Sequence, residues 1–313
     1  MAAEQPVQQS TEKPQTGLVL TGGGARAAYQ VGVLKAIAEL LPDKTENPFP
    51  IICGTSAGAI NAVSLACFAR DFGQAVGYLR HVWEGFHAHH VYRSDPLGIA
   101  RTGAHWLGAL MAGWVVRTAP KSLLDNAPLA ELLKKSLNLD DIGSAVEAGA
   151  LRAICITASG YGSGQSVNFY DGVNTIEPWT RHARVSCRCK LTVEHLLASS
   201  AIPFIFPAVL LNREFFGDGS MRQLAPISPA IHLGANRVLV IAPSERLDTL
   251  AAKHVKSLPW PVRMLLRGIG AMNRKGSALA SYLLFEQDYT RALIDLGYAD
   301  TMARREEVMR FLA

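Results

Sequence analysis

The stretch Gly54-Thr55-Ser56-Ala57-Gly58 sets a serine between two glycines, after an apolar pair and before a run of small residues. Where a strand enters such a turn and a helix leaves it, the apex residue is strained and its side chain stands clear of small neighbours. The backbone N–H groups at the start of the helix favour negative charge close by. Ser56 is therefore a candidate nucleophile for acyl transfer, with Gly54, Thr55, Ala57 and Gly58 as its elbow. The competing possibility is an ordinary glycine-rich turn ahead of a helix.

A nucleophilic serine needs a proton acceptor. Of nine histidines, only His232 and His254 fall late in the chain, where the order serine, acid, histidine would place the base. His232 lies in a helical pattern leading to a strand, His254 in a basic amphipathic stretch and His195 in a further helix, so none recommends itself. His87, His89 and His90 cluster without a carboxylate or cysteine at useful metal-ligand spacing and read as a solvated helix end. Asp218 follows an apolar strand and has a glycine on each side, which permits a tight turn and close backbone approach. An aspartate that only caps its own turn would look the same.

Gly22, Gly23 and Gly24 follow a strand and open a helix, with Arg26 beside them. Successive exposed amides there form an anion-binding concavity. One use is an oxyanion hole for Ser56. Another is a dinucleotide-binding oxidoreductase, since Gly22-x-Gly24-x-x-Ala27 fits the phosphate-binding fingerprint. That use wants an acidic residue at the end of the next strand, about twenty positions on. Asp43 is near that distance but sits in a turn-like stretch.

The elements that position these residues are legible as patterns. Leu18–Leu20 reads as a short buried strand, and Val31, Leu34, Ile37 and Leu41 repeat at helical spacing. A strand around Ile51–Cys53 and a helix to about Arg70 repeat the unit. Two strand–turn–helix units in succession argue for an α/β fold with a mainly parallel central sheet flanked by helices. Residues 72–90 read as a helix. Residues 126–137 read as an amphipathic helix with Pro128 near its start. Residues 151–160 and 164–171 read as strands, 192–201 as a helix capped by Thr192, and 208–220 as a hairpin ending in a glycine turn. A helix and a strand follow to about residue 244, and 249–313 is mostly helical. We expect a disordered tail over 1–16, a catalytic unit over 17–245, and a helical extension over 246–313 packed on it.

The chain has 313 residues, 49% of them hydrophobic and 18% charged, with a net charge of +5. The positive excess is modest and scattered, without the dense basic stripe of a nucleic-acid binder; an anionic membrane surface suits it better. Of five cysteines, Cys53, Cys67 and Cys155 sit in apolar stretches and read as core thiols, which points to a reducing compartment. The N-terminal stretch lacks the apolar segment of a signal peptide, and no run is long enough for a membrane-spanning helix. The expected location is cytoplasmic, with peripheral attachment to the inner face of the membrane. Oligomeric state is not legible.

Four segments in order carry a family likeness: GGGARAAYQVGVL, GTSAGAINA, ASSAIPFIFPAV and DGSMRQLAPISPAIHLGANRVLVI. With them the chain resembles the patatin-like phospholipases, lipid acyl hydrolases that use a Ser–Asp dyad. The resemblance implies a three-layer fold related to the α/β-hydrolases, with Ser56 as nucleophile and Asp218 as catalytic aspartate. It implies Gly22, Gly23 and Gly24 as the oxyanion loop, with Arg26 as its basic residue. In a dyad the aspartate takes the serine proton, so no histidine is needed. The implied substrates are fatty-acyl esters of phospholipids or lysophospholipids, cleaved without metal or cofactor. The chain departs from the family pattern at Ala27, commonly glycine, and at Ser220, commonly glycine or alanine. A catalytically idle membrane-binding adaptor is the remaining alternative. Trp106, Leu110, Met111 and Trp114, in a stretch apolar on nearly all sides, are candidates to line an acyl tunnel or dip into a bilayer, or to form a buried core helix. The basic stretch from Trp260 to Lys275 is a second candidate for lipid contact, or else a helix packed on the body with a solvated basic face.

Overall fold

The structure, a computed structural model, describes residues 15–95, 122–223, 226–244, 247–268 and 277–313. Its first two units are as the patterns predict. Strand β1 (Thr16–Leu20) leads to helix α1 (Ala28–Leu40), and β2 (Ile51–Thr55) leads to α2 (Ala57–Cys67). Next come α3 (Phe72–Glu84), α4 (Ala88–Val91), α5 (Ala127–Ser136), α6 (Asp141–Glu147), β3 (Ala153–Gly160) and β4 (Ser166–Gly172). The helix expected over 72–90 is broken in two. Gly85 caps α3, and His87 then pairs with Glu286 in an isolated bridge.

Strands β5 (Thr180–Arg181) and β6 (Arg184–Arg188) precede helix α7 (Val193–Ser199), with Thr192 at its N-cap position as expected. The expected hairpin is β7 (Val209–Leu211) and β8 (Glu214–Asp218). Asn212 and Arg213, the turn residues, both have positive φ, the conformation that matches the twist of a two-residue hairpin. Helix α8 (Ile227–His232) and strand β9 (Arg237–Val240) complete the sheet. The C-terminal part contains α9 (Leu247–His254), α10 (Trp260–Gly268), α11 (Ser277–Leu283), α12 (Gln287–Ala303) and α13 (Arg305–Leu312).

The described strands form one mixed, mostly parallel sheet. Its centre is parallel in the order β9-β1-β2-β3, and β4 joins β3 antiparallel. Successive residues of a strand face opposite sides, so the central strands feed two cores. Leu18, Leu20, Ile52, Ile154 and Ile156 enter the larger core with α1 and α2. Val19, Ile51, Cys53, Ala153 and Cys155 enter a smaller one with Ala230 of α8. Cys53, Cys67 and Cys155 are buried thiols, as their apolar settings predict.

The C-terminal part is fastened by α12, which crosses α1 at close range. A Cβ at Gly32 would collide with the Ile294 carbonyl, and one at Gly297 with the Tyr29 carbonyl. The two backbones touch, and polar contacts flank the crossing: the Tyr29 hydroxyl donates to Asp300 at 2.7 Å and that of Tyr298 to Glu39 at 2.7 Å.

Candidate active site

Ser56 stands between β2 and α2 with φ 56° and ψ −130°, a conformation a non-glycine residue adopts only when its surroundings impose it. The surroundings are tight. A Cβ at Gly58 would strike the carbonyls of Leu20 and Thr21, so helix α2 can press against the end of β1 only with glycine there. Two further bonds pin the elbow to β3. The Ser56 amide donates to Ser199 Oγ at 2.9 Å, and the Ser199 hydroxyl donates to the Thr157 carbonyl at 2.6 Å.

Asp218 reaches the serine through strand register. Thr55, the last residue of β2, lies opposite Thr157 of β3, while Asp218, the last of β8, lies opposite Ala158. The other edge of β3 is taken by β4 as far as Ser159. Strand β8 therefore continues the edge that β2 vacates, and Asp218 arrives one residue beyond Thr55. The Ser56 hydroxyl donates to Asp218 Oδ2 at 2.6 Å, and the Ser220 amide donates to Oδ1 at 2.8 Å. Both side chains are shielded, at 2% and 4% exposure. Burial pushes the Asp218 carboxyl above its usual 3.8, and the bonds from Ser56 and Ser220 pull the other way without cancelling it.

The glycine loop lies against this pair. A Cβ at Gly22 would sit 3.0 Å from Ser56 Cβ and would collide with Ser220 Oγ. Among the described residues, no backbone hydrogen bond takes up the amides of Gly22 or Gly23. Ser220 Oγ is buried there and also lacks a partner among the described residues. Gly24 opens a short 3-10 turn with φ +56° and abuts the backbone of Tyr282. The guanidinium of Arg26 is taken up by the C-terminal part: Nε donates to Ser281 Oγ at 2.7 Å, Nη2 pairs with Asp248, and the group lies 4.5 Å over the Tyr282 ring. Asp43, the acidic residue considered for a ribose, accepts from the amide and hydroxyl of Thr45 in its own turn.

An apolar groove leaves Ser56, with about 750 Å³ of empty space counting its open mouth. Ser56, Ile60 and Ser64 mark one face of α2 along it, with Trp83 of α3 and Leu129 and Leu133 of α5 opposite. At one end the Tyr78 hydroxyl donates to the Ser136 carbonyl at 3.2 Å. Apart from Ser56, sequence patterns did not single out these residues for binding, although residues 126–137 read as an amphipathic helix, whose apolar stripe signals a covered face. Trp106, Leu110, Met111 and Trp114 lie outside the described residues.

The histidines stand elsewhere. His87 pairs with Glu286 at 3.0 Å, His195 Nδ1 accepts from the Thr192 amide at 3.1 Å, and His232 stacks on Trp179. Among the described residues, no three His, Cys, Asp or Glu side chains gather as a metal-holding group.

Lysophospholipase nte1 of Aspergillus terreus is 53% identical over 55 residues, which are 18% of this chain and 3% of that protein. The chain thus spans a small fraction of that relative's length. Among solved structures, VipD from Legionella pneumophila aligns at a TM-score of 0.44 and 16% identity, covering 90% of this chain and 67% of that one. Human GIVD cytosolic phospholipase A2, solved with methyl gamma-linolenyl fluorophosphonate and terbium chloride, aligns at a TM-score of 0.43 and 12% identity, covering 98% and 60%. The family model for patatin-like phospholipases matches residues 18–231, from the strand before the glycine loop to the helix after Asp218, and the chain belongs to that family.

Proposed function

We propose that the protein is a serine lipid acyl hydrolase acting on fatty-acyl esters of phospholipids or lysophospholipids at a membrane surface. The observation that carries this is the buried 2.6 Å bond from the Ser56 hydroxyl to Asp218, on a strained elbow that opens into an apolar groove. Ser56 Oγ adds to the ester carbonyl as its proton passes to Asp218 Oδ2. The amides of Gly22 and Gly23 hold the resulting oxyanion. Collapse breaks the bond to the alcohol oxygen, which takes the proton from Asp218. Water then loses a proton to Asp218 and adds to the acyl-enzyme; collapse returns the proton to Ser56 and releases the fatty acid. An ionised carboxylate is an effective base here because it is desolvated and already hydrogen-bonded to its target.

A fluorophosphonate probe tests the nucleophile without knowledge of the head group. Covalent labelling of the wild type, mapped to Ser56 by mass spectrometry and absent from Ser56→Ala, is expected. Labelling that persists in Ser56→Ala, or none in the wild type, overturns the assignment.

The groove makes a separate prediction about chain length. Ser56 to Ser64 along α2 is about 12 Å at 1.5 Å per residue, somewhat less than the ~15 Å depth of one leaflet. Ile60→Trp should block the groove one turn from the serine. At roughly 0.8 kcal/mol per buried methylene, losing about four methylenes of contact lowers kcat/KM for long-chain esters on the order of a hundred-fold relative to short-chain ones. A chain-length profile of unchanged shape would show that acyl chains do not use this groove.

A further inference from the structure

From Thr249 to Phe285 the sequence contains no aspartate or glutamate but has six lysines and arginines. Lys253, Lys256, Arg263 and Arg267 are the four on described elements, and all but the half-buried Arg263 are exposed. Helix α10 buries Pro261, Val262 and Leu266 against the body. Its outward stripe is not simply basic. Trp260 and Met264 are 56% and 62% exposed, and with Arg267 they recur at i, i+4 and i+7, one face of the helix. Exposed Trp and Met beside a cation cost free energy in water and gain it at a headgroup boundary, where rings insert and a guanidinium group meets phosphate. This stripe belongs to the part of the chain that touches the glycine loop: α11 supplies Tyr282 against Gly24, and α9 and α11 supply Asp248 and Ser281 to Arg26.

We propose that the outer face of α10, together with Lys253 and Lys256, is a docking surface for bilayers containing anionic phospholipid. Charge complementarity selects the anionic surface, and the exposed indole and thioether select a bilayer over a nucleic acid. The inference concerns where the chain meets lipid and is independent of whether Ser56 is a nucleophile.

The test is co-sedimentation of the full chain with phosphatidylcholine vesicles, with and without phosphatidylglycerol. Wild type should bind the anionic vesicles more tightly, and salt should weaken that binding. Lys256→Glu/Arg267→Glu should lower affinity for the anionic vesicles by at least about thirty-fold, since each cation near such a surface contributes roughly five-fold. Trp260→Ala/Met264→Ala should weaken binding to both vesicle types. These side chains are solvent-facing, so fluorophosphonate labelling of both variants should match the wild type and report that they are folded. Wild type that ignores vesicles, variants that bind as well as wild type, or a charge effect seen only with duplex DNA would each overturn the proposal. Labelled Ser56 without vesicle binding refutes the docking surface alone. Vesicle binding without labelling refutes the hydrolase alone.

Discussion

Asp218→Asn should abolish fluorophosphonate labelling and lower kcat/KM for a soluble ester by on the order of 10³–10⁴-fold, while raising the melting temperature at neutral pH. The two effects have one origin. Asn can keep both bonds now made by the carboxylate, accepting from the Ser220 amide and meeting Ser56 Oγ, but it cannot take a proton. It also removes a charge buried at 4% exposure. Burial raises the Asp218 pKa above 3.8, so between that value and the folded one the native state holds a proton that the unfolded chain has lost. The stabilising contribution of this group is complete below 3.8 and is lost as pH rises through the folded pKa. The difference in melting temperature should therefore shrink to nothing on acidification below the ordinary aspartate range. Over the same window the wild-type labelling rate should fall, with its midpoint above 3.8, because the protonated acid is no base. A variant that is inactive and also less stable at pH 7 would contradict this account of the site.

Gly32→Ala should cost about 3 kcal/mol and lower the melting temperature by roughly 5–10 °C, although it adds a single methyl group to a helix. In isolation glycine to alanine favours a helix by about 1 kcal/mol. At Gly32 the methyl would overlap the Ile294 carbonyl and come within 2.8 Å of the Tyr298 amide nitrogen. Neither is the end of a flexible side chain, so α1 and α12 must separate, loosening the buried contacts of Leu293 and Ile294 and the bond from Tyr29 to Asp300. Gly77, in α3, is the internal comparison, since nothing lies within 4 Å of a Cβ placed there. Gly77→Ala should stabilise by about 1 kcal/mol. Thermal unfolding of the two variants should give shifts of opposite sign, and a shared sign would mean that helix propensity, not the crossing, governs Gly32.

Features written locally in the chain were legible in advance. The strand, elbow and helix around Ser56 occupy consecutive residues, so apolar runs and glycines suffice to describe them. The same holds for the hairpin that ends at Asp218. What local pattern cannot express is register between distant strands. Nothing near Asp218 says that β8 takes over the edge of β3 one residue beyond Thr55; the family likeness supplied that pairing. Ser199 lay inside a segment quoted for the likeness, yet its bond to the Ser56 amide depends on a helix meeting a loop 143 residues away. Arg26 stands beside the glycines in sequence, but its guanidinium is held by Ser281, 255 residues on. The helix expected over 72–90 ends at Gly85, and His87 beyond it pairs with Glu286, a contact with no local signature.

The 162-residue separation of Ser56 and Asp218 also orders events in time. A chain emerging from the ribosome presents its N-terminal units first, so the elbow is synthesised before the residue proposed as its proton acceptor. Until β8 is made and docks on β3, the Ser56 hydroxyl lacks its hydrogen bond to Asp218. The clasp on Arg26 comes later still, with residue 281. Under the proposed mechanism a chain that ends short of β8 is unarmed, and the site is completed by a strand whose last residue is the proposed base.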